Sequence, residues 1–363
     1  MDAMEQARRQ IEQIDTEMAA LFEKRMDAAR AVALYKKERG LPIYVPEREK
    51  QLIERNSQLI KDDSIRAHYV QFLQHTMNVS KRYQREFIEG TRIAYSGVEG
   101  AFANIAAGRI FPEGTLVGFP GFAEAYQAVV TGDCDQAVLP IENSYAGEVS
   151  QVMDLMFRGN LYVNAVYTLR VQQNLLALPG AKISDITKVV SHPQALMQCR
   201  NYIKSHGFTA EEASNTAVAA AAVASGADIH TAAIASLETA ELYGLTVLDH
   251  DINESAENAT RFAVLSRIQN KSSEASEGRF MLMFTVRNEA GSLAKAIDII
   301  GAYGFNMSAL RSRPMGGLAW QYYFFVEAVG SIESPDGQAM LRKLSANCAM
   351  LKVVGNYPEP NEL

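Results

Sequence analysis

Cysteine is scarce in these 363 residues, and the three present, Cys134, Cys199 and Cys348, are widely spaced, odd in number and in no CxxC pattern. Neither a disulfide framework nor a thiolate metal site is indicated by that arrangement, and reduced, buried thiols are expected. Long apolar runs are missing as well. The longest is the alanine-rich Ala217–Ala224, far short of the roughly 18 residues a membrane span needs. The N-terminus opens on a charged amphipathic stretch rather than a basic segment and an apolar run, so no secretory signal is expected and the chain reads as cytoplasmic. A basic excess is also absent. Lys+Arg number 35 against 42 Asp+Glu, which argues against a nucleic-acid partner.

What is present is the composition of a soluble globular protein, 48% hydrophobic and 21% charged. Its length exceeds one ordinary core and fits two or three domains of about 100 to 200 residues. Apolar residues Met4, Ala7, Ile11, Ile14, Met18, Leu21, Ala28 and Val32 recur every three or four positions. That spacing predicts one long helix ending near Gly40-Leu41-Pro42. At about 1.5 Å per residue it is roughly 50 Å long and cannot bury its apolar stripe by itself. Two shorter helices are predicted from Pro46 to Ile60 and from Asp63 to Glu89, making residues 1–90 an all-helical unit. From Thr91 to about residue 268 short strands alternate with helices, an α/β pattern. The polar stretch Gln269–Gly278 reads as a linker. Residues 279–363 then follow the order strand, helix, strand, strand, helix, strand, with the second hairpin strand expected over Trp320–Ala328. This is the α+β ferredoxin-like order.

The helical unit carries chemistry on its seam. Arg25 occupies a heptad position set by Met4, Ile11, Met18 and Val32, so a guanidinium stands where a core residue belongs. A buried cation needs an anion: either a carboxylate such as Glu49 on a neighbouring helix, or a ligand. Arg8, Lys36, Arg48, Glu49, Ser80 and Gln84 belong to the same bundle, and Ser80 and Gln84 share a helix face. Arg8 and Arg25 are 17 residues apart, about 25 Å along one helix. If both serve one small-molecule site, Arg8 comes from a second copy of the chain.

With these residues in place, 4–89 resembles the all-helical chorismate mutases, which are intertwined dimers built on such a first helix. The resemblance implies that Arg8 of one protomer, with Arg25 and Arg48 of the other, holds the two carboxylates of chorismate. It assigns Lys36 and Gln84 to the ether oxygen, Glu49 to the hydroxyl and Ser80 to a carboxylate. Val45 stands at a substrate-binding position often filled by an acid in that family. A Claisen rearrangement needs no nucleophile, metal or proton transfer, only a dianion held compact and charge stabilised on the breaking C–O bond.

In the α/β segment, Gly97-Val98-Glu99-Gly100 lies between a strand and a helix but lacks the third glycine and the acid of a dinucleotide fingerprint. It reads as a turn offering helix N–H groups to an anion. Polar groups recur at helix starts in Glu142-Asn143-Ser144, Ser191-His192-Pro193-Gln194 and Asn215-Thr216. Singly these are caps and turns. Together with Pro140–Ser144 (PIENS), Ser191–Gln194 (SHPQ), Glu241–Leu245 (ELYGL) and Asn258–Phe262 (NATRF), they make residues 91–268 resemble prephenate dehydratase. The resemblance implies two lobes like those of periplasmic binding proteins, with substrate in the cleft between them. It makes Thr260 the catalytic group that helps the ring hydroxyl leave, with Arg261 and Phe262 completing its motif. Asn143, Ser144, Ser191, His192, Gln194 and Thr216 follow as cleft residues.

Residues 279–363 resemble the ACT regulatory domain that follows such dehydratases. That resemblance implies a phenylalanine site at a dimer interface, drawn from Gly291, Ser292 and Leu293 and from Arg311, Ser312, Arg313 and Pro314. The combined expectation is a multidomain enzyme that converts chorismate to prephenate and prephenate to phenylpyruvate under phenylalanine control. It needs no cofactor or metal, and is a homodimer or higher homo-oligomer with no nucleic-acid or membrane partner. A two-lobed solute-binding or amino-acid-sensing protein is the rival reading, but it gives the helical cations no purpose. A mutase fused to prephenate dehydrogenase would require a nicotinamide fingerprint.

Overall fold

The computed structural model describes residues 2–255, 257–269, 278–315 and 321–363. Residues 270–277 of the expected linker, and Trp320 at the start of an expected strand, lie outside the described residues. The chain divides into two compact units, one ending at Arg92 and the other spanning Ile93–Leu363.

The first unit consists of α1 (Ala3–Arg39), α2 (Pro46–Ser57) and α3 (Asp63–Glu89). Asp2 caps α1 by accepting from the Met4 N–H, and Gly40 ends it in a left-handed conformation at φ 60°, which glycine adopts at little cost. Pro46 opens α2 at a position where a missing N–H costs nothing. Ala29 and Ala33 of α1 and Leu73, Met77 and Ser80 of α3 are buried. By contrast Met4, Ile11, Ile14, Met18 and Leu21 remain exposed, Leu21 by 63%. The three-helix unit therefore covers one end of the α1 stripe and leaves the other bare.

The second unit is built on two sheets. In the first lobe the spatial order is Thr115–Phe119, Arg92–Ser96, Gln136–Asn143, Ala259–Ser266, Tyr162–Arg170. The second lobe holds Thr246–Asp249, Asn174–Ala177, Thr231–Ala235, Lys188–Ser191 and Thr209–Glu212. The two segments that pass between the lobes are bonded to each other, Val171 N–H to Asn258 carbonyl at 2.7 Å and Ile252 N–H to Gln173 carbonyl at 2.8 Å. This is the two-lobed arrangement of periplasmic binding proteins.

The C-terminal residues form the expected order, Arg279–Thr285, helix Ser292–Ala302, Asn306–Pro314, Tyr322–Val329, helix Pro335–Ser345 and Met350–Tyr357. They do not stand apart. The strand Met350–Tyr357 joins Tyr162–Arg170 in parallel at Gly355 and Val163, so one sheet runs through the first lobe and the C-terminal module. A Cβ at Gly355 would lie 2.4 Å from the Val163 carbonyl oxygen, so only glycine permits this approach. Met281, Met283, Tyr323, Phe325, Val354 and Tyr357 pack in one core with Leu139, Met153, Met156 and Val163. The physical reason is edge protection: an exposed strand edge and its apolar face are stabilised by being covered.

Candidate active sites

In the helical unit a cavity of about 790 Å³ opens between the three helices. Arg25, Lys36, Val45, Arg48, Glu49, Ser80, Lys81 and Gln84 all line it. Arg25 donates to the Ser80 hydroxyl and, at 3.3 Å, to the Thr76 carbonyl. It is not paired with Glu49. Lys36 donates to the Ile43 carbonyl at 2.7 Å. Burial lowers the pKa of Arg25, and burial followed by the nearby Arg48 charge lowers that of Lys36. Gln84 keeps a buried amide oxygen without a partner among the described residues, the kind of group a ligand satisfies. Arg8, near the start of α1, is exposed and is not among the lining residues.

The carboxylate of Glu49 is taken by Lys81 at 2.9 Å. Lys81 is absent from the set drawn from sequence. Its signal is helical spacing, since Met77, Ser80, Lys81 and Gln84 fall on one face of α3.

In the second unit, strand register decides what faces the cleft. Thr260 pairs with Asn143, and Arg261 with Glu142, so the two pairs point to opposite sides of the sheet. Asn143 donates to the Thr260 hydroxyl at 3.0 Å and to the Asn258 amide oxygen at 3.0 Å. Its own oxygen accepts from the N–H groups of Tyr145 and Ala146. From the second lobe, Gln194 donates to that same oxygen at 3.3 Å. The Thr260 hydroxyl is thus an acceptor from the protein, and among the described residues no group accepts its proton.

His192 caps the helix Pro193–Gln198 by accepting from the Gln194 N–H at 3.2 Å. Burial lowers its pKa, against an opposing pull from Glu212. Thr216 starts the helix Thr216–Gly226 and is buried, with Asn215 as its cap. Asn258, 2% exposed and with an amide nitrogen that has no partner among the described residues, joins the site although only its motif marks it in sequence.

Several expected contacts are placed elsewhere. The Ser144 hydroxyl donates to the Glu257 carbonyl and accepts from Ala259 N–H, and Ser191 donates to the Ile234 carbonyl at 2.6 Å. Both hydroxyls serve backbone. Phe262 is 1% exposed within the core beneath the sheet. Arg261 turns to Glu142 at 3.1 Å and to Glu327 of the C-terminal module at 2.9 and 2.5 Å. Glu327 is 1% exposed and also accepts from the Tyr357 hydroxyl at 2.7 Å. Burial alone would raise its pKa, but the hydrogen bonds and charge of Arg261, with Tyr357 and Arg279, bring it below the ordinary value.

The expected effector residues are split in the same way. Leu293 lines a cavity of about 510 Å³ with Arg287, Glu289, Met315, Tyr322 and Phe324. Gly291, at φ 84°, and Ser292 form the start of the adjoining helix. Arg311 and Arg313 are not among the lining residues: Arg311 pairs with Glu142, and Arg313 with Glu148 at 2.5 Å and Asp154 at 3.2 Å. Alternation along Asn306–Pro314 sends both arginines inward and leaves Ser312 and Pro314 outward.

These features define an enzyme with two centres, a cationic helical cavity and a two-lobed α/β cleft. Among the described residues no cluster of histidine, cysteine or acidic side chains could hold a metal, and no helix is long and apolar enough to cross a membrane. The family model for chorismate mutase type II matches residues 7–85, and that for prephenate dehydratase matches residues 93–270. The chain is 30% identical to the bifunctional chorismate mutase/prephenate dehydratase of Escherichia coli K12, over 98% of this chain and 96% of that one. It is 35% identical to the arogenate dehydratase/prephenate dehydratase 2 of Arabidopsis thaliana, over 74% of this chain and 72% of the relative. A solved prephenate dehydratase from Arthrobacter aurescens, in complex with L-Phe, superposes with a TM-score of 0.68 at 25% identity, covering 74% of this chain and 90% of that one. The chain belongs to the bifunctional chorismate mutase/prephenate dehydratase family, whose two reactions serve phenylalanine biosynthesis.

Proposed function

We propose that the helical cavity rearranges chorismate and that prephenate then loses carbon dioxide and water in the Thr260 cleft. In the cavity Arg25 and Arg48 hold the carboxylates, Ser80 assists, and Lys36 and Gln84 stabilise charge on the ether oxygen as its C–O bond breaks. Glu49 accepts from the ring hydroxyl, and Val45 closes the wall. Arg8 of a second copy completes the site, and the bare Met4–Leu21 stripe on α1 supports a homodimer.

In the cleft the electrons of the breaking C–C bond flow into the ring as carbon dioxide departs, and the ring C–O bond breaks, its oxygen leaving as water with a proton drawn from solvent. Thr260 donates a hydrogen bond to the departing oxygen while Asn143 holds the threonine hydroxyl in place. Gln194, His192 and Thr216 supply the second lobe's share of the substrate contacts. The observation that carries this reading is the Asn143–Thr260 hydrogen bond met by Gln194 from the opposite lobe.

We further propose that the C-terminal module is an ACT domain, here spanning 279–363, that takes L-phenylalanine at the Leu293 cavity. Gly291 and Ser292 start the helix that brings Leu293 to that cavity, and Arg311 and Arg313 relay its state to the first lobe through Glu142 and Glu148. A cytoplasmic setting accords with the buried thiol of Cys199.

The test is to supply chorismate alone, without cofactor, to the full chain and to Arg25→Ala. The full chain should yield both prephenate and phenylpyruvate. Arg25→Ala should lose on the order of a hundredfold in mutase rate and still turn over supplied prephenate. Folded protein that forms neither product refutes the catalytic reading, and an unaltered mutase rate in Arg25→Ala makes Arg25 a structural residue.

A further inference from the structure

Lys81 stands out among the cavity's cations because it alone binds the cavity's acid. Four cationic side chains line this space, Arg25, Lys36 and Arg48 with Lys81, and Glu49 is the one carboxylate among the described lining residues. Glu49 follows Arg48 on α2, while Lys36 and Arg25 approach from α1. Yet the Lys81 ammonium, from α3, lies 2.9 Å from one Glu49 oxygen and 3.2 Å from the other. The same ammonium lies over the Tyr44 ring, 4.7 Å from its centroid, a cation–π contact. Both members of the pair are about one quarter exposed, at 22% and 26%. A pair that keeps this much contact with water is partly screened and contributes less to folding than a fully buried one, so stability alone is a weak reason for building one into a cavity wall.

We propose that Lys81 is a positioning residue of the mutase site. Its ammonium draws the Glu49 carboxylate to the α3 side of the cavity and aims it at the hydroxyl of a hydroxy-dicarboxylate substrate. It also keeps Glu49 from neutralising Arg48 and Lys36, which must stay open for the substrate's anionic and ether oxygens. Arg48 has no carboxylate partner among the described residues, as this role requires. The proposal rests on the reading of this cavity as the chorismate site.

The test uses the full chain as Lys81→Met, Lys81→Arg, Glu49→Gln and the Lys81→Met/Glu49→Gln double variant. Each is assayed for kcat and KM with chorismate, with the far-ultraviolet circular dichroism melt as the control for folding of the helical unit and turnover of supplied prephenate as the control for the other unit. Lys81→Met should lose about 10- to 100-fold in kcat/KM, most of it in KM, because a released Glu49 blocks a carboxylate site. Lys81→Arg should recover most of that loss. The double variant should be no worse than Glu49→Gln alone, since Lys81 then has nothing to hold. Lys81→Met within about twofold of the parent, or losses that multiply in the double variant, would overturn the assignment. Parental mutase rates in both Arg25→Ala and Glu49→Gln would instead show that the cavity is not the mutase site, and the proposal falls with that reading.

Discussion

Replacing Glu327 with leucine tests whether the C-terminal module and the dehydratase lobe are one folding body. Glu327 takes two hydrogen bonds from Arg261, at 2.9 and 2.5 Å, and one from Tyr357 at 2.7 Å. Its removal leaves a guanidinium and a buried phenol with lost partners. Breaking a buried ion pair from one side costs about 3–5 kcal/mol, and the lower end applies because Arg261 retains Glu142 at 3.1 Å. For a unit of this size about 3 kcal/mol lowers Tm by roughly 6–12 °C. Calorimetry on the full chain should show that shift in the α/β transition, while mutase activity, carried by the other unit, loses heat resistance little. The pH dependence has a definite sign. Arg261 and Tyr357 hold the Glu327 pKa below its ordinary value of 4.5 against the cost of burial. Its contribution is therefore complete above that value and is lost as pH falls through the depressed one. The gap between parent and variant should be flat from about pH 5 to 8 and close under acid. A Tm change below about 2 °C, or a gap that widens on acidification, refutes the shared-body argument.

Thr260→Val keeps the side chain's shape and removes its hydroxyl, so dehydratase turnover should fall on the order of a hundredfold or more and prephenate should accumulate from chorismate. Undiminished phenylpyruvate formation would place the hydrogen-bond donor elsewhere, with His192 next to be changed. Burial, and then the charge of Glu254, pushes the Cys199 thiol up to about 12. Native protein at pH 8 should leave Cys199 unmodified by iodoacetamide and expose it only on unfolding, and rapid native labelling would contradict its burial.

Local pattern and motif were enough to place most elements and several site residues. The 3.6-residue recurrence from Met4 to Val32 wrote α1, and Gly40 and Pro46 marked the turn that follows it. The βαββαβ order was equally readable from alternation and turns. Arg25, Lys36, Arg48, Glu49, Ser80 and Gln84 do converge on one cavity, and Asn143, Thr260 and Gln194 do meet. These features depend on helix periodicity, strand alternation and compact motifs, all of which act over a few residues.

Partnership across distance was decided only by the tertiary structure. Lys81 is 32 residues from Glu49, Arg261 is 66 from Glu327, and Arg311 is 169 from Glu142. A charged side chain on a half-buried face requires a counter-charge, but its sequence does not name which one. Packing brings one within reach, and burial makes the choice matter by weakening the screening of water. The same holds for the edge of the first-lobe sheet. A strand records its own two faces in its side chains, whereas its edge is backbone and common to every sequence, so the joining of Gly355 to Val163 had to come from the fold.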